Sequence, residues 1–445
     1  MEKLVDPQQG TTTMCTAVSS LTLVRLSKQF LTLQNEYLYG RGNRNNSTRN
    51  ETSWKEYLQK QLLALSPLRD STSASSATKR MLHQIIQALA STTTACLTEI
   101  HSDMLLESIV EGTKAIAILA RILPSEYMTL ESCQPILTFW TTNYATATST
   151  TNKSNNPVVP VLRLHHHQLS GLYWAYQSLQ HVYGNDDDND QNTLILKFPE
   201  PLRFAYQECA LPFTILPGFL LGQEEIDTLT VDNLVAQVNF QVDTIRTTST
   251  QQHVKERRET AWEGDEGVPS FEYSGKSMPR NSWSPLVKQI RDQLLLASSV
   301  ANTGGGGGGG IYYDGCLLNH YPDGGSAMRY HSDPDQGRLW SYETAVISVG
   351  ASRRVAFREN PNANANTAQQ NCDAEERQRQ KKQQTKKPHS FVVMHGDAMI
   401  MIGNCQERFQ HAVKPADNKN EQAARASLVF KKTIQHCQEE ATKTL

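Results

Sequence analysis

Residues 329–337 read RYHSDPDQG and close an apolar, tyrosine-rich run. His331 and Asp333 stand two positions apart in it, and two readings of them are open. They are a pair of metal ligands, or they are a polar turn where a strand ends. In an extended strand, residues i and i+2 face the same side. An imidazole and a carboxylate at that spacing can therefore reach one ion. The tripeptide recurs by chance in many chains, so its flanks must decide.

The flanks downstream are β-like. The runs IYYDGCLLNHY, TAVISVG, RRVAFRE, SFVVMHG, DAMIMIG and RASLVFKKT are short, rich in β-branched and aromatic residues, and separated by turn residues. That pattern suits a β-sandwich or barrel. One helix, SPLVKQIRDQLLLA, precedes them, with Ser284 as its expected N-cap and Pro285 at its first position. Upstream the period changes. Residues 15–143 space Leu, Ile, Val and Met three to four apart, as in SSLTLVRLSKQFLTLQNEYL and KRMLHQIIQALA, and read as helical. TTNYATATSTTNKSNNP (141–157) reads as a linker, and HHHQLSGLYWAYQSLQHVYG as a further helix.

The expected organisation is a helical N-terminal region at 1–143, a linker and helical segment at 144–210, and a third domain at 211–435. Flexible inserts are expected at 301–310, around the glycine tract, and at 359–388, which is Asn-, Gln- and Lys-rich without apolar periodicity. The glycine tract lacks the Gly-Lys-[Ser/Thr] ending of a phosphate loop. The adjacent histidines 165–167 diverge in either helix or strand and read as structural.

At 445 residues the chain is long enough for two or three domains. Lys plus Arg (43) nearly balances Asp plus Glu (45), which excludes a global basic field. A nucleic-acid partner would have to be held by a local patch. The eight cysteines are scattered without a CxxC pair, as expected of reduced thiols in the nucleus or cytoplasm. The residue pattern leads us to expect no signal peptide and no membrane span.

A non-haem Fe(II) oxygenase centre needs two histidines and one carboxylate on one face of an octahedron. IMIGNCQERFQHAVKP supplies the second histidine, His411, just after an apolar strand. RASLVFKK adds Arg425, whose fork matches a carboxylate in two parallel hydrogen bonds, and Lys431 six residues on, on the same strand face.

With these pieces together, residues 212–433 resemble AlkB-type Fe(II)/2-oxoglutarate-dependent dioxygenases. The resemblance lies in LPGFL, FEYSGKSMPRNSWSPLVKQIRD, CLLNHYPDGGSAMRYHSDPD, VISVGASRRVAFR, MHGDAMIMIG, FQHAVKP and RASLVFK, in the family's order. It implies an α+β chain whose C-terminal part is a double-stranded β-helix (jelly roll) with supporting helices, preceded by the all-helical region. It implies Fe(II) held by His331, Asp333 and His411, with O2 and the co-substrate 2-oxoglutarate. Asn319, Tyr321 and Arg425 match the family's co-substrate positions, and Lys431 stands where the family has a second arginine. A lysine keeps the charge and loses the fork.

On the substrate side, the resemblance assigns Arg258, Trp262 and Asp335. Arg258 and Trp262 fall in a lid piece, RRETAWEGDEG, with Trp262 as the aromatic for a flipped base. Two plainer readings stay open: Trp262 as a packing anchor and Asp335 as a turn cap. The implied activity is oxidative demethylation of N-alkylated bases in DNA or RNA, releasing formaldehyde, succinate and CO2. Two alternatives stand beside it. One is a hydroxylase or demethylase of a protein or small molecule with the same centre. The other is a weakly active interaction protein, with a protein partner for the helical region. No membrane partner is expected.

Overall fold

The computed structural model describes residues 7–40, 56–58, 79–90, 103–125, 127–145, 164–184, 196–220, 228–246, 252–302, 311–361, 363 and 387–434. Residues 303–310 of the glycine insert, 364–386 of the polar insert and 146–157 of the linker lie outside them. The chain divides into two compact units: Met1–Leu38 with Gly42–Ala210, and Tyr39–Arg41 with Leu211–Leu445. The segment 144–210, expected to stand between two domains, falls in the first unit.

The first unit is helical. Its helices are α1 (Pro7–Tyr39), a run at 79–90, α2 (Asp103–Ile122), α3 (Leu130–Ala145), α4 (His166–Tyr183) and α5 (Glu200–Glu208). The first five residues of the expected linker, 141–145, complete α3. Helices α2 and α4 pack together. Leu169, Leu172, Ala175, Tyr176 and Leu179 recur at three- to four-residue spacing and are buried. Trp140 donates its indole N–H to Thr113 Oγ1 at 3.0 Å, so its polar atom is satisfied inside this core. No helix among the described residues is long and apolar enough to cross a membrane.

The second unit is built on antiparallel sheets. Six strands form the larger one: β1 (Phe213–Leu216), β4 (Glu259–Gly264), β7 (Gly315–Tyr321), β9 (Trp340–Gly350), β12 (Ala398–Met401) and β14 (Arg425–Thr433). They run in the order β1-β12-β9-β14-β7-β4. The smaller sheet orders β11 (His389–Val393), β10 (Arg353–Glu359), β13 (Phe409–Val413) and β8 (Met328–His331). Two hairpins complete the set, β2 (Thr244–Arg246) with β3 (His253–Lys255), and β5 (Phe271–Tyr273) with β6 (Lys276–Met278).

Strand alternation divides the labour of the larger sheet. Cys316, Leu318, Ala345, Ile347, Val349, Ala426, Leu428 and Phe430 pack with Val231 and Leu234 of α6 (Val231–Gln237). Leu286, Val287, Ile290 and Leu294 of α7 (Pro285–Asn302) join the same core. Each Val, Leu, Ile or Phe among them contributes about 1.5–3 kcal/mol on burial, so this face anchors the sheet. The opposite face carries Asn319, Tyr321, Arg425, Ser427 and Lys431 and looks toward the smaller sheet. Phe213 of β1 stacks on Phe357 of β10 across that gap, with ring centroids 3.9 Å apart.

Ser284 does precede α7, but its backbone N–H and its hydroxyl both donate to Glu263 Oε2, at 2.9 and 3.1 Å. The buried Glu263 thus ties the helix start to β4.

Candidate active site

His331 ends β8, the edge strand of the smaller sheet, and His411 is its direct partner on β13. Their ring centroids lie 4.2 Å apart. Asp333 comes two residues after the strand ends, so a turn rather than a continuing strand brings its carboxylate back. Gln406 of α8 (Cys405–Arg408) fixes that turn by accepting the Asp333 N–H at 2.9 Å. Asp333 Oδ1 then lies 3.5 Å from His331 Nε2 and 3.6 Å from His411 Nε2. Among the described residues these three form the one group of His, Cys, Asp or Glu side chains whose donor atoms lie within 4.8 Å of one another. Neighbouring donors around an ion bound at roughly 2.1 Å sit about 3 Å apart, so a small contraction closes the site on a metal.

The protonation states suit that task. His331 Nδ1 donates to the Arg329 carbonyl oxygen at 2.9 Å, so in the neutral ring the lone pair is the one on Nε2, the nitrogen nearer Asp333. Burial, then the neighbouring His331 imidazole, lower the His411 pKa to about 3 and leave it neutral. Its buried Nδ1 lacks a hydrogen-bond partner. For Asp333, burial opposes ionisation, but Lys431, the His331 hydrogen bond and His411 outweigh it and hold the pKa well below the usual carboxylate range. Lys431 Nζ donates to Asp333 Oδ2 at 2.7 Å. One carboxylate oxygen is therefore held by the lysine while the other faces the two imidazoles. The structure thus places Lys431 on the carboxylate of this group. Arg425 lies six residues away on the same strand, about 20 Å at the usual rise.

Arg425 is buried, and among the described residues only its Nη2 finds a partner, Ser348 Oγ at 3.0 Å. Its Nε and Nη1 have none. Its Cζ lies 5.4 Å from the centroid of the Tyr321 ring. Burial lowers its pKa to about 10, which still leaves it charged at neutral pH. A buried guanidinium with two unused N–H groups is costly unless an anion meets it. The donor set at His331, Asp333 and His411 and this cation together fit a divalent metal and a carboxylate co-substrate. Asn319 also lies on this face. Its Oδ1 accepts from Arg258 Nη1 at 2.8 Å, which turns its NH2 toward Ser427 Oγ at 3.4 Å.

The three substrate-side expectations change. Trp262 is fully buried, donates to the Pro269 carbonyl at 2.9 Å, and packs between Phe271 and Trp340. It presents no face to a base, so the stacking role is corrected to a packing anchor. A Trp262→Ala change is expected to cost about 3–5 kcal/mol of stability, read from the denaturation midpoint, without altering substrate preference. Arg258 is buried as well. It donates to Glu256 Oε1 at 3.2 Å and to the Tyr273 hydroxyl at 3.0 Å besides Asn319, and Lys276 joins the network through Glu256. Its role is therefore corrected from reading a base to orienting Asn319. Asp335 adopts φ +60° in the turn, pairs with Arg338, and its carbonyl accepts three backbone N–H groups from Arg338, Leu339 and Trp340. The turn-forming reading accounts for it.

Sequence reasoning missed the Lys431–Asp333 ion pair, the Gln406 brace and the Glu256–Tyr273–Lys276 network. Only the last carried a signal, a cluster of polar residues around the FEYSGK hairpin. In the helical unit, the histidine run meets one carboxylate, with His167 Nε2 3.1 Å from Glu107 Oε2. Among the described residues, no group of three or more such side chains forms there.

Residues 212–434 match the family model described as the 2OG-Fe(II) oxygenase superfamily. An uncharacterized protein, R406, of Acanthamoeba polyphaga mimivirus is 25% identical over 190 residues, which is 42% of this chain and 80% of that protein. Among solved structures, OsALKBH1 is similar at 14% identity with a TM-score of 0.31, covering 50% of this chain and 98% of that one. A prolyl hydroxylase from Trichoplax adhaerens, in complex with a hypoxia inducible factor peptide fragment, is similar at 14% identity and a TM-score of 0.31, covering 52% and 87%. With the family model spanning half of its length, the chain belongs to the 2OG-Fe(II) oxygenase superfamily, dioxygenases that use Fe(II), 2-oxoglutarate and O2.

Proposed function

We propose that this chain is an AlkB-type dioxygenase that demethylates N-alkylated bases of DNA or RNA, releasing formaldehyde, succinate and CO2. The observation that carries the reading is the convergence of His331, Asp333 and His411 on one point, with Arg425 holding unused N–H groups on the facing sheet. The base-directed part rests on the AlkB-like stretches of the sequence. The two facing antiparallel sheets are read as the double-stranded β-helix of that family.

In this reading His331, Asp333 and His411 hold the iron, and Arg425 grips the distal carboxylate of 2-oxoglutarate beside Asn319 and Tyr321. When bound, the iron with 2-oxoglutarate and O2 supplies the oxidant for a C–H bond next to nitrogen, and the resulting hemiaminal breaks down to formaldehyde. The protein's own groups do the positioning. Lys431 holds Asp333 Oδ2, leaving Oδ1 as the oxygen that would meet the ion. The Arg329 carbonyl keeps the His331 Nε2 lone pair aimed inward. Arg258 holds the Asn319 carbonyl oxygen, so that the amide presents its NH2 on the inner face.

A second reading has one observation in its favour. The burial of Trp262 removes the expected base-stacking aromatic, which fits a protein or small-molecule substrate equally well. The deciding experiment scores methylated oligonucleotides and methylated peptides for formaldehyde, with the Asp333→Ala protein as control. Formaldehyde from the oligonucleotides alone is the expected result, and release from the peptides alone would transfer the assignment to the second reading. Succinate release from 2-oxoglutarate without any substrate is also expected, and its absence would favour an interaction protein.

A further inference from the structure

The chain as a whole carries a net charge of −2, so any polyanion must find a local concentration of positive charge. The back of the smaller sheet holds one. Alternation along β10 sends Phe357 to the metal side and Arg354 and Arg358 to the back. On the edge strand β8, Tyr330 precedes His331 by one residue, so the tyrosine points to the back and the histidine to the front. Arg358 Cζ lies 4.2 Å and Lys414 Nζ 3.8 Å from the centroid of the Tyr330 ring. Gln410 Oε1 braces the guanidinium by accepting from its Nε and Nη2 at 3.0 and 2.7 Å.

This arrangement is self-repelling. Lys414 donates its backbone N–H to the Arg354 carbonyl at 2.8 Å, which places two cations on adjoining positions of neighbouring strands. None of the ion pairs among the described residues involves Arg354, Arg358 or Lys414. Burial and the nearby Arg358 lower the Lys414 pKa, as crowding without a carboxylate should. Packing of the sheet does not require three cations on one face without an acidic partner among the described residues, two of them over one ring. A chain of phosphates accounts for them, each phosphate taking one cation.

We propose that the back of this sheet, at Arg354, Arg358, Lys414 and Tyr330, binds the sugar–phosphate backbone of a single-stranded nucleic acid. The strand crosses the β8 edge there, and one base turns round to the His331 side. The inference rests on the nucleic-acid reading above. A single strand is the favoured form because duplex DNA stays stiff over about 150 base pairs and does not fold round one strand's edge. Cations on an aromatic platform are the usual equipment for a backbone recognised without sequence preference.

The test measures binding of a fluorescein-labelled oligothymidine to the full chain by anisotropy, between about 50 and 200 mM salt. The variant is Arg358→Glu with Lys414→Glu. Its melting temperature and its 2-oxoglutarate affinity serve as folding controls, since both side chains face away from the inner site. Binding is expected to weaken roughly tenfold or more at low salt. The slope of log K against log salt is expected to fall by about 0.7 for each phosphate no longer neutralised. An unchanged affinity and slope would overturn this surface while leaving the demethylase reading to the formaldehyde assay. Loss of binding to phosphatidylserine vesicles with oligonucleotide binding intact would assign the face to a membrane and overturn it too. So would a wild-type chain that does not bind the strand at the lowest salt.

Discussion

An Asp333→Ala protein is expected to lose iron and stability together, and adding Lys431→Met is expected to restore the stability alone. The carboxylate has two jobs. Oδ1 faces both imidazoles at 3.5 and 3.6 Å, so its removal takes away one of three donors. Removing an outer-shell partner of a metal site already costs 10–100-fold in affinity, so removing a donor itself should cost on the order of 100-fold or more. Oδ2 is the partner of Lys431, whose side chain is wholly buried. Stranding that ammonium costs about 3–5 kcal/mol, as for other broken buried pairs. Methionine at 431 removes the stranded charge while filling similar volume. Urea midpoints of the metal-free proteins read the stability, and metal content after anaerobic loading with ferrous iron reads the site. Wild-type iron content in Asp333→Ala would end the assignment of the ligand set.

Arg425→Met should move stability and affinity in opposite directions. In the free protein the guanidinium is buried with Nε and Nη1 unpartnered, and each such group costs about 1–3 kcal/mol. A methionine of similar length relieves that, so the free variant should unfold at a higher temperature than wild type. Binding should suffer instead. Truncating one partner of a buried charged hydrogen-bonded pair costs about 2–5 kcal/mol, a roughly 30- to 4,000-fold loss in 2-oxoglutarate affinity. Calorimetric titration with Mn(II) in place of iron measures it, and the stabilisation that 2-oxoglutarate gives the wild type should vanish. Unaltered affinity would show that the co-substrate is gripped elsewhere.

Much of this centre is legible in the chain's own pattern. The residue types and order of His331, Asp333, His411 and Arg425 are written in the sequence, but the strand period places only the residues that lie on strands, and Asp333 reaches the site from the turn after β8. The division between helical and β halves follows likewise from the change of period near residue 211. What stays hidden is which faces are covered, and by what. Trp262 lies opposite Leu317, two positions along β7 from Asn319, so both side chains point to the same inner face of neighbouring strands. Yet the β5–β6 hairpin and Trp340 close over the tryptophan. The asparagine remains beside Arg425's strand. No local pattern distinguishes them.

Residue types, their spacing and the family resemblance were enough to name the candidate donor set and the cation, and to put His331, His411 and Arg425 on strands. Only the folded chain shows that Lys431 holds Asp333, that Arg258 orients Asn319 and that Trp262 is core. The fold also brings Arg358 and Lys414 together on one tyrosine. The reason is physical: alternation is a local property of the backbone, written within a few residues. Burial and charge pairing depend on which distant strand arrives alongside, 98 residues away for Lys431 and Asp333.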